Sequence, residues 1–198
     1  MTQASLFKLA LRILGPKLRP LGFQYERGVF YRELPSGVMH IILLDTSRWS
    51  NENFDVTCGL SSRLISPAKE VVNMGFVDGN HVTARGWDCN SAHWPCSDES
   101  AAIDSLAKIA SQIDSLIEPW FQARTSLSSI AKAMNNEQHG IYQAKLFVAD
   151  GKLDQARGAL LDYRNRLQRP KPWDEPDWLD GEKKQVEDLL HQIEKNGK

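Results

Sequence analysis

The chain has 198 residues, of which 41% are hydrophobic and 25% are charged, and its formal net charge at pH 7 is −1. This composition is close to the average of globular proteins and excludes a mostly disordered chain. A net charge so near zero gives the surface as a whole no reason to bind nucleic acid or anionic membrane. No stretch approaches the roughly 18 to 20 apolar residues that a membrane-spanning helix needs.

The first twenty residues predict an amphipathic helix rather than a signal peptide. Apolar residues recur at helical spacing between about Ser5 and Arg19. Lys8 and Arg12 interrupt them, and no small-residue cleavage site follows. The three cysteines, an odd number, are typical of reduced thiols rather than of a disulfide framework. We therefore expect a cytoplasmic protein.

After this helix the apolar pattern changes to the alternation of β-strands. Arg27-Gly28 predicts the first turn and Pro35-Ser36-Gly37 the next. The run 38–46, VMHIILLDT, is apolar on both faces and predicts a central strand. Alternation over 54–60 predicts a half-buried strand, and residues 81–85 predict a short one. Residues 67–75 predict a short helical turn.

The second half of the chain predicts helices. Ser97 is the expected N-cap of a long helix with an apolar stripe over 103–117, which Pro119 kinks or breaks and which continues in some form to about Asn135. Further helices are predicted at 141–149, 153–168 and 182–195, with a loop over 169–181.

Together these elements predict an α+β fold in two parts. Residues 1–125 form an antiparallel meander sheet of about four to five strands, with the N-terminal helix and the long helix packed on it. Residues 126–198 form a C-terminal helical extension, consisting of a helical hairpin and a final helix. In the hairpin, Ala144, Gly151 and Ala156 place small residues where the two helices come closest.

The stretch after the first helix also carries a compact pattern. Residues 18–32 read LRPLGFQYERGVFYR, which has the form LxPLGFxxxxxxFYR. With the strands that follow and a long helix that ends in Pro119-Trp120, this pattern resembles a family of small bacterial α+β domains of unknown function, over roughly residues 4–125. Some members of such families resemble immunity proteins that neutralise toxins delivered between bacteria. The resemblance implies a binding role and leaves the helical extension unaccounted for.

One loop contains residues that could bind a metal. His81, Cys89, His93 and Cys96 lie close in sequence, but the spacing Cys-x3-His-x2-Cys matches none of the usual zinc patterns. The sequence favours a surface loop around a packed Trp94 over a structural zinc site. We therefore predict no metal, although the pattern alone leaves zinc at Cys89, His93 and Cys96 open.

Catalytic residues are not indicated. Cys58 shares its strand face with apolar residues and is predicted to be a core thiol. His40 shares its face with Ile42 and Leu44 and is predicted to be a satisfied core or edge histidine, since no carboxylate is spaced to orient it as a base. The phosphate-loop, dinucleotide, zincin and nucleophile-elbow motifs are absent. We expect no catalytic residue and no cofactor.

A cluster of positive charges raises the question of nucleic-acid binding. Spread along one helix without interleaved aromatic residues, these charges more often form its solvated face, so nucleic acid is the minor alternative. The six cations between 152 and 171 are Lys152, Arg157, Arg164, Arg166, Arg169 and Lys171.

The segment 173–180, WDEPDWLD, is the strongest candidate for a binding site. Two tryptophans and four carboxylates, stiffened by prolines, combine aromatic anchors with negative potential, as in an interface for a basic partner surface. In the competing interpretation, the tryptophans pack back onto the sheet domain and the acids cap the final helix. The predicted partner-binding residues are Trp173, Asp174, Glu175, Asp177, Trp178 and Asp180.

The sequence thus predicts a non-catalytic cytoplasmic protein that binds a cognate toxin and neutralises it as an immunity protein. Two alternatives stay open. One is an enzyme of unrecognised class with a site on the sheet domain. The other is a regulatory or scaffold module that docks a peptide on the helical hairpin. The oligomeric state and the identity of the toxin are not encoded in these patterns.

Overall fold

The chain has an α+β fold, which confirms the predicted class. It divides into two compact units, Met1–Thr125 and Ser126–Lys198, which we call the sheet unit and the helical unit. The computed structural model describes residues 2–46, 52–65, 78–83, 86–88, 93–134, 136–172 and 174–196. The helical turn predicted at 67–75, Cys89 and Trp173 lie outside the described residues.

Seven strands among the described residues form one antiparallel sheet. The first six follow one another in chain order as a meander, and the seventh pairs with the beginning of the fourth. The last two strands are too short to show alternation, and for this reason the sequence predicted fewer strands. The strands are β1 (Gln24–Glu26), β2 (Val29–Glu33), β3 (Val38–Thr46), β4 (Asn53–Ser62), β5 (Asp78–Thr83), β6 (Gly86–Asp88) and β7 (Trp94–Pro95).

Two helices of the sheet unit pack against each other, α1 (Gln3–Leu18) and α2 (Glu99–Gln112). Their buried leucines and isoleucines form the core with the strand face that carries Phe30, Ile42 and Cys58. Asp98, rather than the predicted Ser97, caps α2, and its carboxylate accepts a hydrogen bond from the Ala101 backbone N–H at 2.9 Å. A carboxylate also suits the positive end of the helix dipole.

The long helix does not end at Pro119. A π-helical turn over Ile113–Ile117 follows α2, and α3 (Glu118–Gln122) continues from it. Proline lacks a backbone N–H, and its ring would collide with a carbonyl of the preceding turn in a regular helix. The wider π-turn, placed just before Pro119, lets the chain stay helical, so Trp120 and Phe121 are buried in the core.

The helical unit contains four helices within the described residues. Gly151, with a φ of 70°, makes the turn between α5 and α6, and Ala144 and Ala156 are fully buried in that hairpin. Gly140 lets its helix approach the helix that carries Tyr163 closely, because a Cβ atom at position 140 would overlap the Tyr163 side chain. The helices are α4 (Leu127–Ala133), α5 (Asn136–Ala149), α6 (Leu153–Leu167) and α7 (Pro176–Asn196).

The final helix begins six residues earlier than predicted, at Pro176 instead of residue 182. Proline is favourable in the first turn of a helix, where its missing N–H would have no partner. Gly181 lies within α7 without ending it. Five of the eight residues of the segment 173–180 are therefore helical.

None of the helices among the described residues combines the length and apolar character that a membrane crossing requires.

Candidate functional site

The structure separates the predicted partner-binding residues into two groups. Trp178 lies in the first turn of α7 with 41% of its surface exposed, a high value for an indole. Glu175, Asp177 and Asp180 are exposed beside it in the sequence. Asp174, in contrast, is directed into the helical unit.

Asp174 forms a buried ion pair with Arg166. The Arg166 Nη2 donates to Oδ1 at 3.0 Å, and Nη1 lies 3.0 Å from Oδ2. The backbone N–H of Lys171 donates to Oδ2 at 2.8 Å. This backbone hydrogen bond and the guanidinium lower the pKa of Asp174. Only 4% of the Asp174 side chain is exposed, so its carboxylate positions Arg166 and does not face a partner.

Arg166 in turn supports Trp178. Its guanidinium carbon lies over the indole ring, 5.4 Å from the ring centroid, in a cation–π contact. The Arg166 Nε is buried without a hydrogen-bond partner among the described residues. The guanidinium is therefore held by the carboxylate on one side and by the ring on the other. Because Asp174 neutralises the charge of Arg166, the exposed carboxylates determine the electrostatic potential near Trp178.

The next turn of α7 is fixed by a second polar contact. The Tyr163 hydroxyl donates to Glu182 Oε2 at 2.7 Å. Burial, together with this carboxylate, raises the pKa of Tyr163, so the phenol remains a donor. Glu182 is thereby engaged with α6, and the neighbouring Gly181 has no side chain.

These contacts define an exposed patch at the start of α7, which we call the Trp178 surface. It consists of Glu175, Asp177, Trp178 and Gly181, whereas Asp180, two residues after Trp178, lies on another side of the helix. Glu175 and Asp177 have no ion-pair partner among the described residues, and Asp180 lies 3.6 Å from Lys183. The patch therefore combines an exposed aromatic ring with negative charge, the chemistry that suits a basic protein surface.

The cationic run predicted between 152 and 171 is compensated at half of its positions. Arg164 lies 3.5 Å from Glu187, and Lys171 lies 3.0 Å from Glu137. With the Arg166 pair, three of the six cations have carboxylate partners. This pairing weakens the alternative of nucleic-acid binding, because a phosphate backbone is recognised by uncompensated charge.

The sheet unit contains a buried polar cluster that sequence reasoning missed. Arg32 lies at its centre, and its Nη1 donates to the Leu21 carbonyl at 2.8 Å. Nη2 donates to Glu118 Oε1 at 3.0 Å, across a separation of 86 residues in sequence. Nε donates to His40 Nδ1 at 3.1 Å, and the guanidinium lies 4.6 Å from the Phe23 ring centroid. Its position in the LxPLGFxxxxxxFYR pattern was the only sequence signal for Arg32.

His40 is a satisfied core histidine, as predicted, and it is fully buried. Because arginine only donates, His40 Nδ1 must be the acceptor, and Nε2 carries the proton toward the Arg124 carbonyl at 2.8 Å. Burial lowers the pKa of His40 to about 4. With both ring nitrogens engaged, His40 serves the core of the sheet unit.

The predicted metal loop is only partly described. Cys96 is 3% exposed, contrary to its interpretation as a surface residue, and burial raises its pKa. His93 Nδ1 lies 3.2 Å from Asp55 Oδ1. Trp94 is packed as predicted, and its Nε1 donates to the Val82 carbonyl at 2.8 Å. No group of three metal-ligating side chains occurs within the described part of the chain.

Cys58 is confirmed as a core thiol. It is fully buried on the inner face of β4, and burial raises its pKa, so the thiol remains protonated.

The chain matches no protein-family model, no curated protein and no solved structure.

Proposed function

We propose that this chain is a cytoplasmic binding protein that neutralises a bacterial toxin by direct contact, as an immunity protein does. The observation that carries the proposal is Trp178, an exposed indole that contacts Arg166 and is next in sequence to carboxylates with no ion-pair partner in the described part of the chain. Exposed tryptophans held in one orientation are typical energetic anchors of protein interfaces.

The interior of the sheet unit supports a binding role over a catalytic one. The His40 ring has both nitrogens in internal hydrogen bonds. Cys58 is a buried, protonated thiol. Two residue types that often carry acid–base and nucleophilic chemistry are thus used for packing at these positions.

The toxin as partner follows from the resemblance of the LxPLGFxxxxxxFYR pattern to small bacterial domains, some of which resemble immunity proteins. Neutralisation by occlusion needs tight binding and no chemistry at the interface. It therefore requires an anchor such as Trp178 and a steering charge such as the carboxylates beside it.

The proposal is tested with the product of the neighbouring gene, which we expect to carry a toxin domain, through neutralisation in co-expressing cells and through calorimetry. Trp178→Ala should weaken the complex by at least about 2 kcal/mol, as expected for an aromatic hot spot. Tyr142→Ala is the matched control, because Tyr142 is also 41% exposed and lies on another helix of the same unit.

Circular dichroism must first show that both variants fold. A toxin that is neutralised by the wild type but not by Trp178→Ala supports the proposal. If the adjacent gene encodes no toxin, or if both variants neutralise it fully, the proposal is wrong.

A further inference from the structure

The inference concerns what the Trp178 surface binds, and it rests on the proposed function. Side chains of a helix tilt toward its N-terminus, so the residues one turn after Trp178 would normally cover the indole ring. These residues are Gly181 and Glu182. Glu182 is engaged with Tyr163, and Gly181 has no side chain. Neither residue is therefore available to cover the indole, and Trp178 is 41% exposed.

The space at Gly181 is open. A Cβ atom there would meet no atom within 4 Å apart from its chain neighbours and the helix backbone, and its helical φ does not require glycine. Glycine is also the least favourable residue for a helix interior after proline. Neither crowding nor backbone geometry therefore accounts for glycine at this position.

The charge that neighbours Trp178 in the sequence points to the chemistry of the occupant. Glu175 and Asp177 are exposed carboxylates without an ion-pair partner among the described residues. An indole ring attracts cations, and Arg166 already demonstrates that this ring accepts a guanidinium. A second guanidinium could stack on the ring and donate hydrogen bonds to a carboxylate, which an ammonium group cannot do with the same planar geometry.

We propose that the Trp178 surface is a docking site for an arginine side chain of the partner protein, seated against Trp178 in the space above Gly181. The arginine would be held by the indole ring and by the carboxylates of Glu175 and Asp177. Asp174 and Arg166 are positioning residues in this site, since they fix the ring from below.

The test uses the full chain and a short Gly-Ser peptide that contains arginines, with a twin in which citrulline replaces each arginine. Citrulline preserves the shape and removes the charge. The readout is the indole N–H signal of Trp178 in a nitrogen-15 NMR titration, assigned with Trp178→Phe. The arginine peptide should shift this signal with increasing concentration, and the citrulline peptide should not.

Two glycine variants test the space itself. Gly181→Gln should fill it and weaken the arginine peptide at least about fivefold, as expected for loss of a cation–π contact. Gly158→Gln is the matched control, because Gly158 is an exposed glycine inside α6 whose Cβ position is equally open. Both variants should raise the thermal midpoint, since glutamine favours helix more than glycine does. Weakened binding could then not be ascribed to unfolding.

Equal binding of the citrulline peptide, or wild-type binding by Gly181→Gln, would overturn the inference. These results are separable from the toxin experiment. Trp178-dependent toxin binding without preference for arginine would retain the proposed function and remove the arginine site. Arginine-selective binding without any toxin neutralisation would retain the site and remove the proposed function.

Discussion

Arg32 joins four parts of the sheet unit through one guanidinium group. It donates to the carbonyl of Leu21 in the 3-10 turn that follows α1, to His40 on β3 and to Glu118 at the start of α3, while its guanidinium lies over Phe23. A buried charge with this many partners is costly to disrupt, because removal of one partner leaves the others unsatisfied. The pattern LxPLGFxxxxxxFYR thus marks the segment that connects α1 to the sheet. Its last residue, Arg32, is the centre of the buried polar cluster.

Protonation of His40 should destabilise the sheet unit. Its pKa is about 4 in the folded chain against an ordinary value of 6.5, so folding favours the neutral ring. The stabilisation is present above pH 6.5 and is lost as the pH falls toward 4, to a total of about 3 kcal/mol. Protonated Nδ1 could no longer accept from Arg32, and its charge would oppose the guanidinium.

Urea unfolding at a series of pH values measures this effect, with His40→Gln as the reference because glutamine does not titrate. The variant should be less stable at neutral pH and should lose less stability between pH 6.5 and 4 than the wild type. Parallel curves for the two proteins would show that His40 does not titrate in this way.

Among the secondary-structure elements, the turn between β1 and β2 packs closely against α1. Arg27 and Gly28 both have positive φ, 45° and 88°, as a type I′ turn requires. The Phe7 ring occupies the position that a Cβ atom on Gly28 would need. The Tyr25 hydroxyl donates to the Phe7 carbonyl at 2.9 Å and fixes the same helix turn.

Gly28→Ala should therefore cost more stability than Gly37→Ala. Both glycines have positive φ, 88° and 82°, so both variants carry a backbone strain of roughly 1 to 2 kcal/mol. Only Gly28→Ala also collides with a ring, which adds about 1 to 3 kcal/mol for overpacking. Chemical denaturation of the two variants measures the difference. Equal losses would mean that Phe7 moves aside without cost.

The elements that could be predicted are those with a long apolar pattern. The strand β3 has the predicted bounds, Val38–Thr46, and α6 differs by one residue at its end. The strands β6 and β7 have three and two residues, and no periodicity can be read from so few. Proline and glycine concealed the start of α7, because both are usually read as helix breakers.

The sites depended on contacts that the sequence does not contain. The acidic character and the tryptophan of the candidate surface were visible in the segment 173–180, and Trp178 is exposed. The burial of Asp174 was not visible, since it depends on Arg166 from another helix. The contact between Arg32 and Glu118 was equally hidden, because it is made only when the sheet and α3 meet.

For the molecule as a whole, the net charge of −1 conceals an uneven distribution. Several cations of the helical unit are paired internally, whereas carboxylates at the start of α7 are exposed. Local charge of this kind steers the approach of an oppositely charged partner and contributes less to the lifetime of the complex. Association kinetics should therefore reveal the Trp178 surface more clearly than affinity does.

Neutralisation of Glu175 and Asp177, as Glu175→Gln with Asp177→Asn, should slow association with the toxin about tenfold at low salt and reduce its salt dependence. The dissociation rate should rise as well, because the same carboxylates would hold the docked arginine, but Trp178 and its contact with Arg166 remain as the anchor. Asp188→Asn with Glu194→Gln is the control, since it removes the same charge from exposed positions later on α7. Stopped-flow measurements over a range of ionic strength separate the effect of local charge on the association rate from the effect of the net charge. Equal slowing by both double variants would place the steering in the net charge and the interface away from the Trp178 surface.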